Sequence, residues 1–559
     1  MVFKNLNIDL KYYQNMRLLT FFKNEAALFK PFVVFMTVVS GAANILVLIV
    51  LHDATDAILS PHEQMWAFLT YFAILILFLF SKRYSSIYAA NTIQTAIRKL
   101  RLRITNKITQ LELLFIEKRV KTDIYMNLTQ DINLISQSAI NMMEIIVSLA
   151  TMTGGMLYIA WIYPLAFPFM AVGMGLAFIY LFKQRMIHEE VKLSIKKEKE
   201  FVKLLSQVLE GFKEIKINES KKEALLAHIE TIAIETEQVK ASIGRKYVMN
   251  RIIPRTLSFL VLGVLVFVLP FFGLLDSNAV LKIMVIIVFL MRTVEALARH
   301  STLLSVANGA IGDFQRFEAE LDEELKVIPD YHAQTEPQPK TQLTTFKEIQ
   351  MKNITFEYSP QTDNEYAFKV GPLNLNCQRG EIIFIIGGNG SGKSTLMKLL
   401  TGLYYPQSGQ LILDNQEIER LAFSQYRSLF STIFTDFYLF DRLHGVANVD
   451  EKKLGSLLSL MKLNKKTEYR DNKFTDINLS TGQRKRLALV TTLMEDRPIC
   501  IFDEWAADQD PTFRKYFYEV LLKDLQKQGK TIIAVTHDDR YFHLADRVVK
   551  MEYGQIVPN

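Results

Sequence analysis

The feature that most constrains this chain is a series of long apolar runs in its first 300 residues. A membrane-spanning helix needs about 20 mostly apolar residues, and a soluble helical core rarely contains runs so long and so free of charge. Six segments predict spans, and they are 31–51, 65–80, 139–161, 163–182, 256–274 and 279–296. The second is short, and the sixth contains Lys282, Arg292 and Glu295.

The basic residues of this half indicate its orientation. Lysine and arginine are frequent in 1–30 and 81–110 and absent from 52–64. Because cytoplasmic loops carry the excess of Lys and Arg, both termini are predicted to face the cytoplasm. The net charge of +7 is then a topology signal and predicts no nucleic-acid partner. The first 30 residues are polar and mixed, so no cleavable signal peptide is expected.

The composition changes after residue 326. Residues 327–345 contain three prolines and many polar residues, which is typical of a linker. We therefore predict a transmembrane domain at 1–326 and a soluble domain at 346–559. The two cysteines, Cys377 and Cys500, lie far apart without metal-ligand spacing and indicate neither a disulfide framework nor a zinc site.

A glycine-rich turn opens the chemistry of the soluble half. The letters GGNGSGKS at 387–394 fit G-x-x-x-x-G-K-[ST], and they follow an apolar run and precede a helical pattern. Glycines let backbone N–H groups close around phosphate oxygens, and the helix N-terminus adds positive partial charge. Lys393 can reach the β and γ phosphates, and Ser394 can ligand Mg²⁺. The stretch predicts an α/β P-loop domain that binds ATP and Mg²⁺.

Three further stretches fit the same chemistry. The run ICIFDE ends in Asp503 and Glu504, which are suited to holding Mg²⁺ and polarising the attacking water. The letters LSTGQ at 479–483 form a turn before a helix, where an anion can bind. His537 follows the β-rich run TIIAVT and is a candidate sensor of the γ-phosphate.

In this order, GGNGSGKS, LSTGQ, IFDE, AADQDP and TH, the motifs resemble those of the ABC transporter family. The resemblance covers essentially the whole chain, because six spans before the ATPase look like an exporter-type half-transporter. It implies an α-helical six-span transmembrane domain followed by an α/β P-loop nucleotide-binding domain, in the inner (cytoplasmic) membrane of a bacterium. Segments 123–132 and 210–220 look like the coupling-helix regions of such exporters.

The resemblance also implies roles for individual residues. Tyr358 would stack on adenine, Glu504 would be the catalytic base and His537 the switch histidine. Ser394 and Asp503 would hold Mg²⁺. The residues expected to bind ATP are Tyr358, Gly387, Asn389, Gly390, Gly392, Lys393, Ser394, Thr395, Thr435, Ser480, Gly482, Gln483, Asp503 and Asp510. Of these, Ser480, Gly482 and Gln483 would face the γ-phosphate bound by the other subunit.

Two positions depart from the family pattern. Thr435 stands where a glutamine usually contacts Mg²⁺ and the attacking water. Threonine is shorter by two heavy atoms, so direct metal contact is in question and a water could bridge the gap. Thr481 stands where glycine is commoner, a change we expect to be tolerated.

The sequences of the motifs look most like those of the family that exports cyclic peptides, peptide siderophore precursors and microcins. One chain has one P-loop, GGNGSGKS at 387–394, and one signature, LSTGQ at 479–483. In the ABC design this predicts a homodimer with two composite ATP sites in membrane lipid. The expected function is ATP-driven export of a peptide-like substrate by alternating access. Two alternatives remain on the same scaffold, a lipid or lipid-linked flippase and an ATP-gated regulator without transport.

Overall fold

The computed structural model describes residues 17–56, 61–118, 124–125, 127–183, 187–272, 277–327, 343–358 and 368–558. By its internal contacts the chain divides into two compact units. The first comprises 1–111 and 118–325, and the second comprises 112–117 and 326–559. The predicted linker lies almost entirely outside the described residues.

The regular secondary structure described in the first unit is helical. Its helices are α1 (Arg17–Asn24), α2 (Pro31–Asp56), α3 (Pro61–Gln110), α5 (Ile132–Ile162), α6 (Phe167–Lys183), α7 (Ile187–Glu210), α8 (Phe212–Ile217), α9 (Glu219–Gly263) and α10 (Ser277–Val327). The short helix α4 (Leu113–Lys118) follows α3 in the chain and lies almost entirely in the second unit. Helix α9 continues through a π-turn, Val264–Val268, to Phe271. A 50-residue helix such as α3 is about 75 Å long, far more than the roughly 30 Å of a bilayer core.

Four helical stretches in the described part of the chain are long and apolar enough to cross a membrane. They are Pro31–Asp53, His62–Gln110, Ile132–Ile162 and Glu219–Phe271. They contain the first, second, third and most of the fifth predicted span. The fourth prediction falls on α6, whose apolar part, Phe167–Ala177, is shorter. The sixth falls on α10, where three charged residues interrupt the apolar run. The count of six spans therefore stays a prediction.

The second unit is built around a six-stranded sheet. Its strands are β3 (Ile382–Ile386), β6 (Phe430–Ile433), β9 (Ile499–Asp503), β10 (Thr531–Val535), β11 (Arg547–Glu552) and β12 (Gln555–Val557). Their order is β12-β11-β3-β10-β9-β6, and all neighbours are parallel except the pair of β11 and β12. An antiparallel sheet, in the order β2-β1-β4-β5, consists of β1 (Glu348–Glu357), β2 (Lys369–Gln378), β4 (Ser408–Leu413) and β5 (Gln416–Glu417). A short hairpin joins β7 (Tyr469–Arg470) and β8 (Lys473–Phe474).

The central strands are apolar along their whole length because both faces of the sheet are covered. In β3, Ile382 and Phe384 pack into one core, while Ile383 and Ile385 pack into a second core on the other face. Strands β9 and β10 divide in the same alternating way. An unbroken apolar run is the expected pattern for a parallel strand buried on both sides. The two free cysteines are buried in these two cores.

The remaining helices of the second unit flank this sheet. They are α11 (Lys393–Leu400), α12 (Phe423–Arg427), α13 (Glu451–Leu460), α14 (Thr481–Glu495), α15 (Pro511–Tyr516) and α16 (Leu522–Lys527). Strands β3, β9 and β10 are parallel and in register, with Val535 opposite both Ile385 and Asp503. Their carboxyl ends therefore meet at one edge, where ligands bind in open α/β sheets.

Candidate ATP site

The turn from β3 to α11 forms a cradle of backbone. Gly387 has a φ of 149°, and a Cβ there would lie 2.2 Å from the carbonyl oxygen of Met551, so this position requires glycine. At Gly388 and Gly390 a Cβ would meet open space. Lys393 begins α11, and its Nζ donates to the carbonyl oxygens of Gly387 and Gly388 at 2.9 Å each. The ammonium thus sits over the mouth of the loop.

The groups expected to hold a metal lie beside this cradle. The hydroxyl of Ser394 donates to Oδ2 of Asp503 at 3.2 Å. The other oxygen of Asp503, Oδ1, is buried without a hydrogen-bond partner. Burial raises the pKa of Asp503, partly offset by the bond from Ser394. A buried carboxylate oxygen without a partner beside a hydroxyl is the oxygen-only donor set that Mg²⁺ prefers, so these residues fit Mg²⁺ bound with nucleotide.

Glu504 stands next to this pair at the end of β9. Its backbone is left-handed, with φ 49°, and its Oε1 lies 3.2 Å from Nε2 of His537. Strained backbone of this kind occurs at functional sites when surrounding structure holds it. Here the holding contacts are hydrogen bonds from the Glu504 N–H to Val535 at 3.2 Å and from Lys485 Nζ to the Glu504 carbonyl at 2.8 Å.

Lys485 is a residue that the sequence reasoning missed. It is 4% exposed and also forms an ion pair with Asp508 at 2.7 Å. One side chain thus ties the helix after the signature to both Glu504 and the loop that follows it. The available signal was its position: a lysine on the apolar face of a helix must find a buried acceptor.

Tyr358 is joined to the P-loop helix. Its hydroxyl shares a hydrogen bond with Oγ1 of Thr395 at 3.0 Å. Its ring packs edge-on against Phe356, with centroids 5.1 Å apart, and against Tyr404, with centroids 5.9 Å apart. The structure therefore brings the residue predicted to stack on adenine together with the P-loop.

Thr435 follows β6 and reaches the metal pair through its backbone. Its N–H donates to Asp503, and this bond lowers the pKa of that carboxyl. Its side chain is exposed and makes no hydrogen bond among the described residues. The position thus contributes a backbone donor to the site, while the side chain is not used in this conformation.

The signature residues form the start of α14 rather than part of the P-loop cradle. Ser480 is the N-cap, and its N–H donates to Oε1 of Gln483 at 3.3 Å. Gly482 packs against the following loop, since its carbonyl accepts from Gln509 at 3.1 Å. In the described part of the chain, no hydrogen bond or ion pair joins 480–483 to 387–395. One copy therefore brings the P-loop, Asp503, Glu504 and His537 together without the signature.

Asp510 is a helix cap in this structure. Its side chain accepts from the N–H of Phe513 at 2.9 Å and pairs with Arg486 at 2.7 Å. These two partners, the N–H first, lower its pKa. Arg486 also donates to Gln509 at 2.8 Å, so the loop that contacts Gly482 is held on both sides.

The short segment 112–117 belongs to the second unit, which sequence reasoning did not foresee. Glu117 accepts hydrogen bonds from Lys398, at 2.8 Å, and from the hydroxyl of Tyr404. Glu112 pairs with Arg420. The segments expected to be coupling regions, 123–132 and 210–220, are grouped with the first unit, and that expectation stays a prediction. Paired charges separated by hundreds of residues carry no local sequence signal, which is why sequence reasoning missed the place of this segment.

Comparison with known proteins gives the family. The profile described as the ABC transporter transmembrane region matches residues 31–296, and the ABC transporter profile matches 370–507. The ATP-binding protein SyrD of Pseudomonas syringae pv. syringae is 32% identical over 553 residues, covering 94% of each chain. The chain belongs to the ABC transporter family.

Other similar proteins agree with the assignment of this chain to the ABC transporter family. The alpha-hemolysin translocation ATP-binding protein HlyB of Proteus vulgaris is 31% identical over 227 residues, which is 38% of this chain and 31% of that protein. The solved structure of a bacterial Atm1-family ABC exporter with ATP bound aligns with a TM-score of 0.71 at 16% identity, over 94% of this chain and 93% of that one. The ABC transporter thus has a membrane domain and an ATP-binding domain, in the exporter fold, and hydrolyses ATP coupled to transport.

Proposed function

We propose that this ABC transporter exports a peptide-like substrate from the bacterial cytoplasm as a homodimer with twelve spans and both termini cytoplasmic. Candidates for the substrate are a cyclic or lasso peptide or a peptide siderophore precursor. One observation supports the proposal that ATP drives this export. At one edge of the sheet the structure groups Lys393, Asp503, Glu504 and His537. Lys393 binds the phosphates, Ser394 and Asp503 hold Mg²⁺, and Glu504 orients the attacking water.

Export as the direction of transport has further support. Relatives of the ATPase segment include a protein named for translocation of alpha-hemolysin and others named for macrolide export. ATP binding and hydrolysis drive the membrane part between two states only through a difference in affinity between those states. Within the second unit, the bonds of Glu117 to Lys398 and Tyr404 link the segment 112–117 to Tyr358, whose ring Tyr404 contacts edge-on.

The homodimer is supported by the separation of the signature from the P-loop within one chain. In a composite site, the P-loop of one copy is completed by Ser480 and Gly482 of the other. Helix α14 presents the N-terminus of a helix for this purpose, with the Ser480 side chain capping the N–H of Gln483. Two copies thus supply two sites, each inactive without the partner.

A subunit-complementation experiment tests this arrangement. Lys393→Ala and Ser480→Arg homodimers each lack both functional sites and are expected to be inactive. A mixed dimer of the two variants retains one site, formed by the intact P-loop of one chain and the intact signature of the other, so mixing should restore ATP hydrolysis. Mixtures of Lys393→Ala with itself provide the control. If mixing restores nothing while each variant still assembles with wild type, the composite site is wrong.

Transport function is tested by ATP hydrolysis of the purified protein in lipid, with wild type beside Glu504→Gln, against a panel of cyclic and lasso peptides. Glu519→Gln is the matched control, because Glu519 lies on the surface 3.8 Å from Lys515. A peptide that stimulates wild type and the control but not Glu504→Gln supports export. Slow hydrolysis that no peptide changes contradicts it.

Regulation without transport is the second candidate, and Thr435 is the observation that favours it. A side chain too short to reach the metal would leave hydrolysis slow, which suits an ATP-gated regulator. This candidate predicts no stimulation by peptides and none by lipid. Stimulation by lipid alone, with lipid movement in vesicles, would instead identify a flippase.

A further inference from the structure

A cavity of about 330 Å³ lies between α9 and α10 in the first unit. The residues of its wall that carry the argument are Tyr247, Asn250, Arg251, Glu295, Arg299 and Thr302. This volume is at the small end of the range for ligand pockets, roughly 300 to 1,000 Å³. It has room for the end of a peptide, one or two residues, and not for a whole cyclic peptide.

The charges of the wall do not balance. Glu295 is the carboxylate of the wall, and it is paired with Arg255, with Nε and Oε1 3.4 Å apart. Arg251 and Arg299 make neither an ion pair nor a hydrogen bond with any residue that the structure describes. Both arginines are exposed in one copy of the chain, so their guanidinium donors are available to an anion that enters the cavity.

Asn250 adds a second requirement. The residue is 5% exposed, and its Oδ1 is buried without a hydrogen-bond donor among the described residues. Buried amide oxygens are normally satisfied. The wall therefore offers two cations, which call for an anion, beside an acceptor, which calls for an N–H or O–H donor. A simple inorganic anion would satisfy the two cations. At neutral pH it has no hydrogen to donate to Asn250 unless one of its oxygens is protonated.

We propose that this cavity binds the carboxylate-bearing end of a peptide substrate, with Arg251 and Arg299 contacting the carboxylate and Asn250 accepting a peptide N–H. This proposal rests on the proposed export of peptides and applies to candidates with a free C-terminus, since a cyclic backbone has no terminal carboxylate. Guanidinium groups bind carboxylates through paired charge-assisted hydrogen bonds. A peptide terminus carries a carboxylate and an N–H within one residue of each other, which matches the two kinds of group in the wall.

Binding of a defined peptide pair tests the site. The probes are a hexapeptide of alanine and phenylalanine with a neutral fluorescent label at its N-terminus and a free C-terminal carboxylate, and the same hexapeptide as its C-terminal amide. Fluorescence anisotropy with the full-length protein in lipid nanodiscs gives Kd. The free acid is expected to bind about tenfold more tightly than the amide, since it gains charge-assisted hydrogen bonds.

The variants separate the two interactions. Arg251→Gln and Arg299→Gln should each remove the preference for the free acid, while Asn250→Ala should weaken both peptides alike. Arg245→Gln is the matched control, because Arg245 is exposed on α9 and is not part of the cavity wall. Elution as a homogeneous species in size-exclusion chromatography identifies variants that fold.

Each other outcome overturns the proposal. Equal binding of acid and amide by wild type removes the carboxylate site and leaves peptide export standing. Failure of both peptides to bind, together with no peptide stimulation of hydrolysis, removes the proposed function as well. If Arg251→Gln and Arg299→Gln change stimulation by phosphatidylglycerol vesicles and leave the peptide preference unchanged, the cavity is a lipid headgroup site.

Discussion

The hydroxyl of Tyr404 donates a hydrogen bond to the carboxylate of Glu117, although 287 residues separate them in the chain. Tyr404 is 2% exposed, and its ring stacks on Phe356 with centroids 4.9 Å apart. Burial, followed by the bond to Glu117, raises its pKa well above the ordinary value. The tyrosine therefore stays protonated and keeps donating at any physiological pH, which holds the segment 112–117 on the ATPase unit.

Tyr404→Phe should loosen that segment. The ring keeps its packing, and one hydrogen bond to a carboxylate that is about a third exposed is lost, roughly 1 kcal/mol. Hydrogen exchange of 112–117 should then rise about fivefold. The control is Tyr405→Phe, because the Tyr405 hydroxyl has no hydrogen-bond partner among the described residues. Unchanged exchange in Tyr404→Phe would show that Lys398 alone holds Glu117.

His537→Ala should slow hydrolysis without abolishing ATP binding. The imidazole lies 3.2 Å from Glu504 and orients the expected base, so its loss should lower kcat about 10²-fold with KM changed little. Steady-state ATPase kinetics measure this effect. His543→Ala, an exposed histidine in the turn Asp539–Leu544, should behave as wild type. A rise in KM at constant kcat would assign His537 to binding alone.

Gly482→Ala should disable the signature. Its new Cβ would lie 2.8 Å from the carbonyl oxygen of Asp508, a backbone atom that cannot move away cheaply. We expect a loss of hydrolysis of at least tenfold, while a fluorescent ATP analogue still binds the P-loop. The matched glycine is Gly455 in α13, where a Cβ meets open space and alanine should be neutral or slightly stabilising. Full activity of Gly482→Ala would contradict this packing.

Thr435→Gln should increase the affinity of the site for Mg²⁺. The longer amide can approach the metal pair while the backbone N–H keeps its bond to Asp503. The Mg²⁺ concentration for half-maximal hydrolysis should therefore fall. Thr435→Ala removes only an exposed hydroxyl and should leave that concentration unchanged. If alanine raises it severalfold, threonine itself acts on the metal, through a water.

Trp505→Ala should destabilise the ATPase unit by about 3–5 kcal/mol. The indole is 1% exposed, stacks on Phe517 with centroids 4.5 Å apart, and donates to the Lys485 carbonyl at 2.8 Å. Pulse proteolysis in urea on the full-length protein measures this change. Tyr553→Ala provides the comparison within the same unit, since Tyr553 is 92% exposed and its loss should cost little. Equal effects at both positions would show that the core around Trp505 relaxes.

Local pattern determined much of this protein. The P-loop is recognisable because a phosphate cradle needs glycines and a lysine at fixed spacing, and Gly387 has the positive φ that this requires. The ends of β9 and β10 are recognisable because parallel strands deliver Asp503, Glu504 and His537 to one edge. Long uncharged runs indicate membrane spans for the same reason, since the information lies within a single stretch of about 20 residues.

Only the tertiary structure decided the features that depend on pairs distant in sequence. Glu117 and Tyr404 meet, Lys485 reaches Glu504, and Arg251 and Arg299 share a cavity wall without a counter-charge. Each of these residues is an ordinary charged or aromatic side chain in its own segment. The roles of Tyr404 and Lys485 come from the free energy of burying each beside a particular partner, and the two arginines act together because the fold places them in one cavity wall. No periodicity or spacing along the chain records these neighbours.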